Sequence, residues 1–326
     1  MLSRVANSVY WLGRYIERAE NYARFIDVNF NLELDLPPNV GQQWQPLIAA
    51  TGDKELYEKY NKGYSRSQAI YFLAFDSQNS NSIFNSITYA RENARIVREN
   101  LSTETWEVLN ELFYFIKEQK QKEVWKYEDP RECLVDIRKK IQLLNGLSYD
   151  SAPRTQGWYF TKLGQFIERA DKTSRILDVK YHILLPSVEQ VGSPLDFLGW
   201  SALLKSVSGY NSFRRVYGRT EATSVVEYLV LNRYFPRSIL FCLINAEQCL
   251  REIEGTTGKL GFSNRIEKEI GILRSRLEFS EVRDVIDFGL HEYLDEIQQD
   301  LNSLSDQLAE RYFTVQSNVI QSQQSQ

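Results

Sequence analysis

The sequence predicts an all-α fold, a multi-helix bundle built from two tandem pseudo-repeats of about 155 residues. Three observations predict it. Apolar residues recur at helical spacing along most of the chain, and no segment alternates convincingly as a strand does. The stretch "LGRYIERAENYARFIDV" (12–28) is nearly spelled again as "LGQFIERADKTSRILDV" (163–179). Further matched segments follow each copy in the same order, and a period this long marks a duplicated multi-helix unit rather than a solenoid.

The first long helix is read from Val9, Leu12, Ile16, Ala19, Ala23 and Ile26, whose alternating spacing of three and four is the seam of a helix packed on another helix. Ala19 and Ala23 leave room for a close neighbour, and Pro37-Pro38 should stop the helix. A Trp-bearing helix follows with Trp44 and Leu47, then a Ser-Ile helix in "NSIFNSITYARENAR" (81–95). "LSTETWEVLNELFYFIKEQ" (101–119) begins behind Ser102 and Thr103, suitable capping residues, and puts Trp106, Leu109, Leu112, Phe113 and Ile116 on one side. "DPRECLVDIRKKIQLLNGL" (129–147) has Pro near its start and Gly near its end, as helices prefer.

The order then restarts. Phe160, Leu163, Ile167, Ala170, Ser174 and Leu177 repeat the long seam, with Pro186 as its stop. Trp200 and Leu203 match Trp44 and Leu47, and "RSILFCLINAEQCLR" (237–251) keeps Ser238, Ile239, Ala246 and Arg251 where the first copy has Ser82, Ile83, Ala90 and Arg95. A last long helical segment, 279 to about 314, carries Val282, Val285, Ile286, Leu290, Leu294 and Ile297. The expected organisation is therefore a first unit over 1–150, a second over 151–314 packed on it, and a disordered Gln/Ser-rich tail over 315–326.

Composition excludes several classes. The chain has 326 residues, 43% hydrophobic and 25% charged, enough to bury a large core. A net charge of −4 provides no broad basic field, which argues against nucleic acid as a partner. Cys133, Cys242 and Cys249 form no CxxC pair and read as buried free thiols of a reducing compartment. Arg4, Arg14, Glu17 and Arg18 interrupt any apolar leader, and no run reaches the ~18 apolar residues of a spanning helix. The expectation is a soluble cytoplasmic protein with no membrane partner.

One stripe asks for more than packing. Gly13, Glu17, Glu20, Arg24 and Asp27 run along a face of the first long helix, and Gly164, Glu168, Asp171, Arg175 and Asp178 repeat them type for type. Neighbouring positions differ: Arg14 faces Gln165, Asn21 faces Lys172, and Tyr22 faces Thr173 in the comparison of the two copies. A solvated charged face should drift as its neighbours do, so the stripe reads as at least half buried and paired. Glu20 with Arg24 and Asp171 with Arg175 stand four residues apart and meet on their own helices. Glu17 and Glu168 have no such partner and are expected to reach another helix.

No phosphate loop of the GxxxxGK[ST] or GxGxxG type occurs. The histidines, His182 and His291, lie in no nucleophile motif, so no catalytic residue is assigned. Glu17-x-x-Glu20 and Glu168-x-x-Asp171 resemble half of a carboxylate-bridged dimetal site, but the usual Glu-x-x-His pairs are missing and Arg24 and Arg175 repel a cation. Asp287 and His291 suit a helix-surface ion pair better than a metal. No metal or other cofactor is expected. Arg91, Arg95 and Arg98 carry forked donors suited to carboxylate or phosphate, and beside the Arg14–Arg24 face they would form a basic pocket lined by Tyr10, Trp11 and Tyr15. The second copy replaces Glu92-Asn93 by Gln248-Cys249, so such a site would be asymmetric.

On "LSRVANSVYWLGRYIERAENYARFIDV", "ARENARIVRENLSTETWEVLN" and "FIERADKTSRILDV" the chain resembles the bacterial alpha-E domain family over nearly its whole length. The resemblance implies an all-helical fold of obscure function. It also implies gene neighbours of circularly permuted ATP-grasp and transglutaminase-like type, hence a role in peptide or amide-bond synthesis. It carries over Arg14, Glu17, Arg18, Glu20, Arg24, Arg91, Glu92, Asn93, Ala94, Arg95, Glu168 and Arg169, none with a catalytic role. With Arg98, Asp171 and Arg175 from the charge pattern, these (Ala94 apart) form the candidate binding set. The expected function is a non-catalytic partner that binds an ATP-grasp ligase, a transglutaminase-like protein or their peptide substrate. An enzyme using Glu17 and Glu168 for acid–base or metal-assisted chemistry, and a purely structural stripe, are the alternatives.

Overall fold

The computed structural model describes residues 1–35, 44–127, 129–184 and 193–314. Among these residues every regular element is helical and there is no strand. The chain opens with the long helix α1 (Ser3–Asp35), followed by the short helices α2 (Trp44–Thr51), α3 (Lys54–Tyr60) and α4 (Arg66–Ile70). A π-helical turn at Tyr71–Phe75 leads to α5 (Ile83–Ile96), α6 (Thr103–Gln121), α7 (Val124–Tyr127) and α8 (Pro130–Asp150). A second long helix, α9 (Gln156–Leu184), is followed by α10 (Pro194–Ser206), α11 (Tyr210–Tyr217) and α12 (Ala222–Val230). The chain continues through α13 (Ile239–Glu254), α14 (Arg265–Glu278), α15 (Val282–Phe288) and α16 (Leu290–Leu308), with a last π-helical turn at Ala309–Phe313.

α1 and α9 pack on each other at the centre. Their seams meet in the core: Val9, Leu12, Ile16, Ala19, Ala23 and Ile26 of α1 are buried, as are Phe160, Leu163, Ile167, Ala170, Ser174 and Leu177 of α9. Each buried Leu or Ile contributes about 1.5–3 kcal/mol relative to exposure. α5 and α8 flank α1, with α6 packed on both of them, while α13 and α16 flank α9, with α14 packed on both. The Trp helices cross over: α2, with buried Trp44, lies on α9, and α10, with buried Trp200, lies on α1. Ser82 caps α5 by accepting from Asn85 N–H, and Ser238 caps α13 by accepting from Phe241 N–H.

Two boundaries differ from the sequence expectation. The segment 279–314 is broken at Gly289, whose φ of +100° lies where side-chain-bearing residues rarely go, so α15 ends there and α16 sets off anew. Gly146 does not end α8, which runs on to Asp150. Its last carbonyls have partners: the Ser151 hydroxyl donates to Leu147 O at 2.7 Å, and Arg154 donates to Ser148 O and Tyr149 O. The stops assigned to Pro37-Pro38 and Pro186, the side chain of His182, and the tail 315–326 lie outside the described residues. Cys133, Cys242 and Cys249 are buried, and burial pushes the Cys242 thiol up to about 12. No described helix is long and apolar enough to cross a membrane.

Candidate functional site

The central helices touch where they have no side chain. A methyl group placed on Gly13 would sit 2.1 Å from Thr161 O of α9, and one placed on Gly164 would sit 2.3 Å from Tyr10 O of α1. One turn further along each helix comes a Glu followed by an Arg. These four residues exchange partners across the crossing.

Glu17, fully buried, accepts from Arg169 Nε at 2.9 Å and from Arg169 Nη2 at 2.7 Å. Glu168, also fully buried, accepts from Arg18 Nε at 2.6 Å and Arg18 Nη2 at 3.0 Å. Each motif's carboxylate thus takes the other motif's guanidinium with both forks, the strong geometry for this pair. Further donors add to each carboxylate. Arg237, just ahead of α13, gives Nη1 to Glu17 Oε1 at 2.9 Å, and Asn21 Nδ2 adds 3.1 Å. Arg14 Nε lies 2.5 Å from Glu168 Oε2 and Lys172 Nζ 3.6 Å from Oε1.

The rest of the stripe is also paired. Glu20 meets Arg24 on α1 and Arg237 Nη2 at 3.2 Å. Asp171 meets Arg175 Nε at 2.9 Å and Lys172 at 2.9 Å. Asp27 takes Arg138 Nη1 of α8 at 2.6 Å, and Asp178 faces His291 Nδ1 of α16 at 2.8 Å. The expected pairs within each helix are present, and Glu17 and Glu168 do reach across.

Burial alone would raise the pKa of Glu17, yet Arg169 and Arg237 overcome it and hold the group down to about 2. Glu168 is likewise opposed by burial but held well below the carboxylate range by Arg18, Arg14 and Lys172. Such a carboxylate is a poor general base near neutrality, and its lone pairs already face N–H donors. The folded value of Glu17 lies below the ordinary 4.5, so its contribution is full above that pH and is lost as pH falls toward 2. Urea midpoints measured from pH 7 to pH 2 should be flat down to about 5 and then drop, with Glu17 supplying on the order of 3 kcal/mol of the loss. In Glu17→Gln that part of the slope should vanish.

Four network members, Asn21, Lys172, Arg237 and Asn81, were not assigned from the sequence. Asn21 and Lys172 occupy matched positions that differ between the copies, and that difference counted as a sign of solvent. Both are buried, and each supports the Glu four residues before it. Arg237 matches Asn81, immediately ahead of the capping Ser in each copy. Asn81 accepts from Arg18 Nη1 at 2.8 Å, so both positions serve the cross by different chemistry. The register of the capping Ser residues was the signal that pointed there.

The Arg91 group stands apart. Arg91 donates to Asn110 of α6 at 2.6 Å and covers the Phe113 ring, and Arg98 donates to Leu101 O and covers Trp106. Glu92 pairs with Arg95 at 2.7 Å, and Asn93 donates to Tyr89 O. Among the described residues no hydrogen bond or ion pair joins this group to the cross. The pocket expected between Arg91, Arg95, Arg98 and Tyr10, Trp11, Tyr15 is therefore not assembled in that form. Tyr10 is buried with its hydroxyl on Arg14, while Trp11 stacks on Tyr15 and Tyr15 tilts onto Tyr89 of α5. No group of three or more His, Cys, Asp or Glu side chains suited to a metal occurs among the described residues.

A helical bundle whose two central helices exchange Glu-Arg motifs defines the class: an all-α domain organised around an ER pair. The chain belongs to the Alpha-E family, described as a predicted alpha-helical domain with a conserved ER motif, and the family model matches residues 1–313. Similar proteins are uncharacterized chains of Mycobacterium bovis and Mycobacterium tuberculosis, each 24% identical over 90% of this chain and 34% of their own. The chain spans about a third of the length of these relatives. No solved structure matches.

Proposed function

We propose that this chain is a non-catalytic helical partner in an ATP-grasp-type peptide or amide ligase system, made of two copies of one unit (1–150 and 151–314) clasped at the ER cross. The observation that carries the non-catalytic reading is the engagement of both buried motif carboxylates, Glu17 by four donors and Glu168 by three. Both oxygens of each carboxylate are engaged by donors from the other central helix, which suits a clasp. The two-copy reading is supported by correspondences at every level: the glycines, the swapped Glu-Arg pairs, the capping Ser residues and the crossed-over Trp helices. The ligase and a transglutaminase-like partner rest on the family resemblance, and a cytoplasmic location rests on three cysteines that form no CxxC pair. A matching stretch that fills a third of longer relatives suits a module working beside another.

With the stripe buried, binding falls to the outer side of α5 and α6. There Arg98, Trp106, Asn110, Tyr114 and Lys140, together with Glu107, Glu111 and Glu118, line an open groove of mixed charge beside Arg91. Co-expression with an ATP-grasp ligase of the kind the family resemblance implies, followed by pull-down at micromolar concentrations with and without nucleotide, tests this. A complex should form and should weaken in Arg98→Glu and Tyr114→Ala, both with unchanged melting temperature. No complex under any of these conditions would overturn the proposal.

A further inference from the structure

Between α1, α6, α8 and α9 lies a cleft enclosing about 90 Å³, several times what one water needs. Its walls are mostly apolar, with Leu12, Ile16, Leu109, Leu144, Pro153 and Trp158 among them, and no lining residue is charged. Gln165 and Asn145 make its polar corner. Their orientation is fixed from behind. Lys162, buried, has only donors while charged, so Gln165 must turn Oε1 toward it, and the contact is 3.0 Å. Gln165 Nε2 then donates to Asn145 Oδ1 at 2.9 Å, which leaves Asn145 Nδ2 as a donor at the cleft wall.

Charges of both signs stand near the cleft, with Glu99 and Glu104 next to the lining residues Asn100 and Thr105, and two cations hold positions at its edge. Arg154 lies over the Trp158 ring at 4.1 Å, and Arg98 Nη1 is 3.2 Å from Leu101 O. The N-terminus of α6 is not counted, because Ser102 already caps it.

We infer that this cleft binds a small aliphatic carboxylate, the apolar body against Leu109, Leu144 and Trp158 and the carboxylate at Asn145 Nδ2. The inference does not depend on the ligase reading. A free acid and the C-terminus of a peptide ending in an apolar residue share this chemistry.

Calorimetric titration of the full chain with hexanoate, hexylamine and acetyl-glycyl-leucine tests it. Hexanoate or the peptide should bind at least about tenfold tighter than hexylamine, the scale of one hydrogen bond to a charged group. A preference for hexanoate assigns a free acid, and a preference for the peptide assigns a chain end. Ala152→Trp, at the half-buried rim, should block binding without changing the melting temperature. Lys162→Met, which releases the relay, should erase the preference over hexylamine while keeping the fold. Equal affinity for hexylamine, undisturbed binding in Ala152→Trp, or no binding of either acid at millimolar concentration overturns the inference.

Discussion

Glu168→Gln should lower the unfolding free energy by about 3–5 kcal/mol, the usual result of stripping the charge from one side of a buried ion pair. The substitution keeps the shape and the helix propensity of the side chain. What it removes is the counter-charge for Arg14, Arg18 and Lys172, which remain packed around a neutral amide. One amide oxygen can still accept, but its NH₂ group now opposes N–H donors. Natural domains of this kind hold only about 5–15 kcal/mol in total, so the variant should unfold at a much lower urea concentration. Arg95→Gln supplies the contrast. Its pair with Glu92 is exposed, and such a pair is worth about 0–1 kcal/mol. Glu17→Gln should resemble Glu168→Gln, and the double variant should lose less than the sum, since both contacts hold one crossing. A loss below about 1 kcal/mol in Glu168→Gln would mean the cross is not the clasp proposed here.

The seams were legible because burial on a helix leaves a periodic trace that needs no knowledge of the partner. All twelve seam residues of α1 and α9 are buried as the spacing required. The burial of the stripe was legible for a different reason: an internal comparison showed charges retained where a solvated face would drift. The same comparison misread all three neighbouring pairs, because it equates difference with exposure: Arg14 and Gln165, Asn21 and Lys172, and Tyr22 and Thr173 are every one buried. Two unlike side chains can both donate to a carboxylate, and only coordinates show that they do. The Arg91 set failed as a pocket for a related reason. Helical spacing places arginines on a face but does not say which neighbour covers that face, and α6 takes Arg91 onto Phe113 and Asn110. The break at Gly289 was missed because the apolar period runs across it, and period alone is blind to a single left-handed residue.

Contacts at two glycines, which the apolar seam does not reveal, lead to the second large effect. Ala19, Ala23, Ala170 and Ser174 are fully buried, as room for a close neighbour requires, and Gly13 and Gly164 each lie directly against the backbone of the other helix. In a solvated helix, Gly→Ala is stabilising by up to about 1 kcal/mol, because alanine restricts the unfolded chain and favours the helix. At Gly13 the added methyl would lie 2.1 Å from a backbone carbonyl oxygen, and at Gly164 2.3 Å, distances that no side-chain rotation relieves. One helix must move, and the ER contacts one turn away must lengthen with it. Gly13→Ala and Gly164→Ala should therefore each destabilise by about 1–3 kcal/mol or more, the range for overpacked cores. The internal control is Gly146→Ala on α8, where nothing stands within 4 Å of the new methyl. That variant should gain stability, so one chemical change, read by urea midpoint at three helical sites, should give opposite signs. Stabilisation at Gly13 and Gly164 would place the two central helices further apart than this packing allows, and the reciprocal Glu-Arg exchange would lose its geometric basis.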